Sequence, residues 1–460
     1  MVKSYLFQDR KFYIHNGFSL EDIGKIINRH RNRRVAYTKL NDYYRGKHDI
    51  IYRQFNDPTK PNNRAVNNFA KLIVDTSTAY FLGEPITYST KENRTLEAIQ
   101  SVLKFNNSED VDSELSKMVG IYGHAFEVHW IDSEGSHKFK AVSPHDMVMC
   151  YSMDLEEEPV CAVMYRTYKD VDECVVHDVQ MFTKDSIVNF TIDEQGKVRK
   201  EVSTPHYFGQ LPVTEYISSE ERIGDFEPVI SLIDAYNISV SDSINDIEYW
   251  NDAYLLLRNL NATTMEDVQE MKENRVLLVD GEGDAQFITK NIQDTHIENI
   301  KDRLTMDIHK FSQTPNLNDE QFATNLSGVA IKYKMLGLEN KTAIKERKFK
   351  SALMKRIGLI LNIFNLKGNS FTFPEIDFVF VRNLPANLVE IADMISKIRG
   401  VVSDDTLRSQ LPFVIDLEAE KEKLEEEQEA KMIYDFSNPF TTPEGEEEEE
   451  ESEESNAAVN

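Results

Sequence analysis

From Ser327 to Phe364 the chain runs nearly forty residues without a proline. Proline removes a backbone donor and clashes with the preceding turn, so its absence over this span permits one continuous helix. Few folds accommodate a rod of that length. The run opens on Ser327-Gly328-Val329-Ala330, three of them small, and lysines recur behind them. Between 327 and 361 there are nine Lys and Arg against two Glu, a net of +7, in a chain whose formal charge is −27. A cationic rod in so acidic a protein offsets the surrounding negative field or pairs with acidic neighbours.

The flanking segments have their own periodicities. Residues 19–45 carry a candidate cap at Ser19 and continue helically, with Arg29, Arg31, Arg33 and Arg34 clustered. Such a cluster can hold phosphate, although it is more often a solvated face or a partner for acids. Residues 62–88, NNRAVNNFAKLIVDTSTAYFLGEPITY, are expected to form a second helix. Val66, Phe69, Ile73, Thr76 and Tyr80 follow a 3–4 spacing, Gly83 closes the helix, Pro85 stops it, and ITY is extended. Residues 93–124 are again helical. From about 125 to 217 the character changes to short β-branched and aromatic segments such as AFEVHWI, CAVMYRTY and SIVNFTI, broken by turns. This predicts an α+β region with a mostly antiparallel sheet.

Residues 228–257 predict one long helix, with Ile233, Tyr236, Val240, Ile244, Ile247, Trp250, Tyr254 and Leu257 in a single stripe. Asp242 and Asp246 share another face at i,i+4. A short helical piece near 263–274 precedes RVLLVDGEGDAQFITK, which fits strand, glycine turn, strand. A further helix starts at Thr295, where Thr295-His296-Ile297-Glu298 fits a capping box. Ile297, Ile300, Leu304, Ile308 and Phe311 make its stripe, and Pro315 lies just past its end. The loop 313–326 then leads into the proline-free run. Residues 370–382 predict a strand returning to the earlier sheet, and 385–432 are helical with a break where Ser403 or Asp404 can cap.

Composition excludes several classes. No apolar run approaches about 18 residues, so no membrane-spanning helix is expected. The N-terminus lacks the apolar core of a secretory signal. Cys150, Cys161 and Cys174 cannot all pair and form no CxxC, which fits reduced thiols; with His145 and His177 they make no recognised zinc spacing. Gly281-Glu282-Gly283 lacks the third glycine and the following helix of a phosphate loop, so a hairpin turn is the plainer reading. Asp234, Asp242 and Asp246 could hold Mg²⁺, but acids on the polar face of a long helix are usually only solvated. His124 and His129 have no partner motif. No Walker A, GxSxG or kinase signature is present. No metal and no cofactor are expected. Residues 417–460 hold 17 Asp and Glu against 3 Lys. This end is expected to be a disordered acidic tail, either solubilising or an electrostatic decoy that repels DNA or occupies a basic partner.

Three stretches carry a family resemblance. NNRAVNNFAKLIVDTSTAYFLGEPITY (62–88), DEQFATNLSGVAIKYKMLGLENK (319–341) and VSDDTLRSQLPFVIDLEAEKEKLEEE (402–427) resemble, in order and spacing, signatures of the portal proteins of tailed double-stranded DNA phages. The nearest type is that of siphophages of Gram-positive hosts, and the match covers roughly 40–430. One departure is that Thr324, where the family often has glycine, precedes Asn325.

The resemblance implies a portal fold. It has an α+β wing at 1–226 with a returning strand in 365–384, and stem helices at 228–259 and 295–312. A small α/β clip follows at 260–294, then a tunnel loop at 313–326, a tunnel helix at 327–364, an α-helical crown at 385–432 and the acidic tail 433–460. It implies a non-enzymatic ring of about twelve subunits at one capsid vertex, assembled in the host cytoplasm and retained in the virion. Major capsid and scaffolding proteins, the terminase large subunit and a head-completion protein would be its partners. Duplex DNA would pass through its channel, and no membrane would be involved.

Gln313, Thr314, Asn316, Asn318, Thr324 and Asn325 would face that channel from the loop. Ser327, Gly328, Lys332 and Lys334 would start the tunnel helix, and Asp242 and Asp246 would line the stem and repel the duplex. Many phosphate contacts would oppose translocation, so the lysines need not grip DNA. Two rival readings are a metal-dependent DNA enzyme using the stem carboxylates, and an oligomeric adaptor that never touches DNA.

Overall fold

A computed structural model describes residues 10–250, 254–258, 264, 284–288, 294–317, 328–372, 375–383 and 388–408, with short gaps at 16, 59, 170–173 and 194–196, and scattered residues from 411 to 427. It divides into two units, Met1–Leu384 and Pro385–Asn460.

In the first unit, α1 (Leu20–Tyr44) starts at Ser19, whose hydroxyl accepts from the Asp22 N–H while the Asp22 side chain accepts from the Ser19 N–H. A six-stranded sheet follows the order β1 (Phe12–Tyr13), β5 (Met147–Tyr151), β6 (Pro159–Lys169), β7 (Val175–Phe182), β8 (Ser186–Asp193), β9 (Val198–Pro205). All its pairings are antiparallel except β1 with β5. A second sheet orders β10 (Val213–Ile217), β3 (His124–Ile131), β4 (His137–Val142).

Period-two alternation explains the layers. Val148, Cys150, Cys161, Val163 and Tyr165 pack on Ile23, Ile26 and Ile27 of α1. Met147, Met149, Tyr151 and Ala162, on the opposite face, meet Phe126, Val128 and Val213 of the smaller sheet. Ala125 and Phe139, with Tyr216, lie in the same cluster as Phe349, Leu353, Ile357 and Ile360 of the long helix. The order is therefore helix, sheet, sheet, helix.

Residues 62–88 correct one expectation. The helix α2 begins only at Phe69 and ends at Leu82. Residues 62–68, including Val66, are not helical. Gly83 then passes so close to Asn383 that a Cβ would lie 2.5 Å from its side-chain nitrogen. β2 (Thr87–Ser89) pairs antiparallel with β13 (Asp377–Val379) as a separate two-stranded sheet, so the returning strand does not join the larger ones. Helices α3 (Asn93–Phe105) and α4 (Ser108–Tyr122) fill 93–124.

The helix α5 (Ile230–Trp250) is shorter than its apolar stripe suggests. Tyr254 and Leu257 belong to β11 (Tyr254–Arg258), which pairs antiparallel with β12 (Asp284–Ile288). A run of Tyr and three Leu satisfies both helical and extended patterning, and the pairing partner some thirty residues on decides for the strand. Most of 263–274 and the GEG turn lie outside the described residues. α6 spans Asp294–Ser312, and α7 spans Gly328–Leu366, 39 residues in one piece. The second unit contains α8 (Leu388–Ile398) and α9 (Asp404–Arg408), the latter capped by the Ser403 hydroxyl accepting from the Thr406 N–H.

Candidate functional site

Three segments gather around α5 and the middle of α7, and polar side chains hold them there. The first is the extended stretch 62–68, which hangs on α5. The backbone N–H groups of Asn63, Ala65 and Asn67 donate to the side chains of Asn245, Ser241 and Asn237 at 2.7, 3.0 and 2.8 Å. Two residues of extended chain rise about 6.6 Å and four residues of helix about 6.0 Å, so the two repeats stay in step. Asn237 and Ser241 are fully buried. Asn237 also donates to His48 Nδ1 at 2.8 Å. Arg53 closes the end of this strap: its guanidinium donates to Asp242 Oδ1 at 2.7 Å and to the Asn63 carbonyl at 2.8 Å.

The second segment is the end of α6. Gln313 adopts a left-handed backbone at φ 57°, which turns the chain out of the helix. The Thr314 N–H donates to the His309 carbonyl at 3.1 Å, and His309 Nδ1 lies 3.1 Å from the Thr314 carbonyl. A carbonyl only accepts, so Nδ1 carries the proton. Burial lowers the His309 pKa, which keeps the ring neutral.

Lys341 of α7 reaches the Ser312 carbonyl at 3.1 Å and Asp225 Oδ1 at 3.0 Å. Lys345 takes the other Asp225 oxygen at 2.6 Å. Burial opposes the Asp225 charge, yet the two ammonium groups hold its carboxyl below the usual range. The third segment, around Asp225, reaches this place because Gly123 at φ 81° lets the chain turn where a Cβ would lie 1.9 Å from the Arg222 carbonyl oxygen.

Deeper along α7, the fully buried Arg356 binds Asp112 at 2.6 Å and Glu127 at 2.7 Å. Tyr216 donates to Glu127 at 2.9 Å, His129 Nε2 lies 3.3 Å from the same carboxylate, and His129 Nδ1 lies 3.0 Å from His137 Nε2. Burial works against the Glu127 charge, but Arg356 and His129 bring its pKa down to about 2. Asp112 has fewer partners, and burial raises it to about 6 despite Arg356. Lys348 pairs with Glu220, and Lys350 with Glu346 at 2.9 Å. Arg382, beside the returning strand, binds Glu339 and Glu346 at 3.0 and 2.6 Å. Five of the nine cations counted on this helix thus meet acids of the same chain.

The description "Phage portal protein, SPP1 Gp6-like" matches residues 23–433. The chain belongs to that portal family. The portal protein of Clostridium phage phiCD119 is 25% identical over 454 residues, covering 92% of this chain and 99% of its own. The portal protein of Bacillus phage SPP1 is 23% identical over 408 residues, covering 85% and 80%. Among solved structures, the neck of an empty gene transfer agent particle, computed with C6 symmetry, has a TM-score of 0.45 at 13% identity, covering 74% of this chain and 87% of that one.

Of the residues assigned to the portal's channel from sequence, Asn318, Thr324, Asn325 and Ser327 lie outside the described residues. Gln313 is exposed, whereas Thr314 is buried against the end of α6. Asn316 is partly buried, Lys332 exposed, Lys334 partly buried, and Gly328 is the first residue of α7. Asp242 is ion-paired to Arg53 and Asp246 is partly buried on the same helix. The arginine cluster divides. Arg29 and Arg33 lie over the Phe12 ring, with centroid distances of 5.6 and 4.1 Å. Arg31 and Arg34 line an open groove of about 490 Å³ with Lys39, Lys47 and His145.

His124 is a core residue hydrogen-bonded to Tyr37 and Glu215, and His129 belongs to the Arg356 network. Asp234 accepts from Tyr43 at 2.6 Å. Sequence reading missed Asp225, Arg356 and the Asn237-Ser241-Asn245 ladder. Only the ladder had a local signal: three short polar residues at i, i+4 and i+8 along one line of the helix.

Proposed function

We propose that this portal protein forms a closed ring of about twelve copies at one capsid vertex, through which duplex DNA is packaged and later ejected. One observation carries the assembly reading. α5 exposes Ile238, Ile244 and Ile247, α6 exposes Ile300, Met306 and Phe311, and the first half of α7 exposes Tyr333, Leu336 and Ile344. Apolar side chains recurring along three helices mark a surface meant for other chains, and copies of the same chain are the simplest partners. In this assignment 1–226 with the returning strand is the wing, α5 and α6 are the stem, 260–294 is the clip, 313–326 and α7 are the tunnel loop and helix, and 385–432 is the crown.

The portal is a conduit rather than an enzyme. ATP hydrolysis belongs to a terminase docked at the clip, a head-completion protein takes that place afterwards, and capsid and scaffolding proteins surround the wing during assembly in the host cytoplasm. The loop residues Gln313, Asn316, Asn318, Thr324 and Asn325, with Lys332 and Lys334 behind them, are the part nearest the DNA. Asp242 and Asp246 add negative charge along the stem.

Native mass spectrometry with negative-stain microscopy tests the ring: closed particles near twelve copies with a duplex-wide hole are expected, and a persistent monomer in the presence of capsid partners refutes it. Deleting 314–326 separates a conduit from an inert adaptor. Rings then form but packaged DNA is lost, whereas an adaptor would be indifferent. Nuclease activity that needs a divalent metal and disappears in Asp242→Ala would favour an enzyme instead.

A further inference from the structure

Cys150 on β5 and Cys161 on β6 stand directly opposite one another in the antiparallel ladder. Both are free and fully buried on the sheet face that packs against α1. The chain has only three cysteines, and two of them occupy this one cross-strand pair. Opposed residues in an antiparallel ladder have Cα atoms about 4.5 or 5.5 Å apart, according to the kind of pair. Both separations fall in the range a disulfide spans, about 4.4–6.8 Å. The two thiols are also within hydrogen-bonding reach. Immediately beyond them the register slips, so that Tyr151 faces Pro159 and Val160 is left over. A bulge at that point gives the backbone local latitude to adjust to a cross-link.

We propose that Cys150 and Cys161 are an oxidative modification site, closed in the folded protein by a peroxide into a cross-strand disulfide. With hydrogen peroxide, one thiolate sulfur attacks a peroxide oxygen, the O–O bond breaks, and the leaving hydroxide takes a proton to become water. The resulting sulfenic acid is attacked at sulfur by the second thiolate; the S–O bond breaks and its hydroxyl leaves, with a proton, as a second water. Two thiols and one peroxide thus give one disulfide and two waters, the sulfurs losing the two electrons that the peroxide gains.

The helix α1 and the two-residue strand β1 together cover the pair. Phe12 of β1 is paired with Cys150 and is itself buried. β1 also follows Arg10, which grips Glu227 at 2.6 Å. Transient opening of α1 together with this short strand uncovers the pair, and the disulfide then joins β5 to β6 covalently beneath them. The neighbouring Cys161 and burial hold the Cys150 thiol well above its ordinary value. Closure is therefore slow near neutrality and speeds up about tenfold per pH unit as thiolate accumulates.

The test uses the full chain in its native assembly state. It is treated with hydrogen peroxide between about pH 7 and 9, quenched with catalase, then denatured and alkylated with iodoacetamide. A peptide linking 150 to 161, loss of the adducts on those two cysteines, a rate rising with pH and reversal by dithiothreitol are expected. Cys174→Ser, at an exposed position, should keep the cross-link and take no adduct. Three adducts after prolonged exposure at the highest pH, or oxidation confined to Cys174, would overturn the proposal. So would a linked peptide that appears only after the chain has been denatured in the oxidant, because the folded geometry would then play no part.

Discussion

The two ends of the long helix α7 face different problems. From Lys341 to Ile363 it is built into its own subunit: Phe349, Leu353, Ile357 and Ile360 sit in the main core, and Lys341, Lys345 and Arg356 are consumed by Asp225, Asp112 and Glu127. From Ala330 to Ile344 only Met335, Leu338 and Thr342 are buried, while Tyr333 and Leu336 stay 75% and 52% exposed. The same element is thus a core helix at one end and an offered surface at the other. Its positive charge, conspicuous in the sequence, mostly balances acids of the same subunit.

The largest effect should come from the buried end. Arg356→Ala leaves Asp112 and Glu127 facing each other without a cation, and a loss of about 3–5 kcal/mol is expected. Thermal and urea unfolding should register it as a much lower midpoint. An unchanged midpoint would mean that the pair with Glu127 contributes little and that packing alone seats the helix. Lowering pH comes next, acting on His137 beside that layer and on His30 between α1 and Tyr165 of the large sheet. Burial holds His30 and His137 near pKa 3, so both are neutral in the fold but take up protons near 6.5 once unfolded. Stability is lost as pH falls below 6.5.

Asp112, raised to about 6, works the other way, gaining stability as pH falls through 6. Two histidines against one aspartate leave a net loss of about 2–3 kcal/mol between pH 7 and 5. Urea midpoints at the two pH values measure it, and His30→Gln should reduce the difference. A pH-independent midpoint would contradict the burial of these rings.

Between those extremes stands the strap on α5. Ser241→Ala removes the acceptor for the partly buried Ala65 N–H and should cost about 1–2 kcal/mol, with proteolysis inside 53–68 as the sensitive readout. If cleavage there does not increase, the neighbouring Asn237 and Asn245 suffice to hold the segment. At the offered end, Leu336→Glu should change the subunit's own stability by less than about 0.5 kcal/mol, yet lower the fraction of rings seen by native mass spectrometry. A stability loss with intact rings would reverse the contrast between the two ends.

The same contrast explains how much of this fold was legible beforehand. Element existence followed from local pattern: the Ser19 cap, the change to β character at about residue 125 and the proline-free α7 all state their structure within a few neighbouring residues. The failures have a common cause. Residues 62–68 carry a passable helical spacing, but acceptors supplied by α5 more than 160 residues away hold them extended. The apolar stripe of α5 continues into Tyr254 and Leu257, whose conformation is set by pairing with 284–288. The partners of Lys341, Lys345 and Arg356 were invisible for the same reason: an ion pair at a separation of 116 to 244 residues leaves no periodicity behind. The family signatures, by contrast, were short and ordered along the chain, so they located the protein among portals without the fold.

One feature of α7 has a mechanical side. A straight helix rises about 1.5 Å per residue, which puts Gly328 about 20 Å from Lys341, where the ion pairs to buried acids begin. With its far end clamped by buried ion pairs, the helix is a lever whose fulcrum lies deep inside the subunit. A tilt of about 6° at that fulcrum carries the Gly328 tip through about 2 Å, a displacement comparable to the radius of a water molecule. Small repacking between the sheets and the helix is thereby delivered, magnified, to the loop that begins at Gln313.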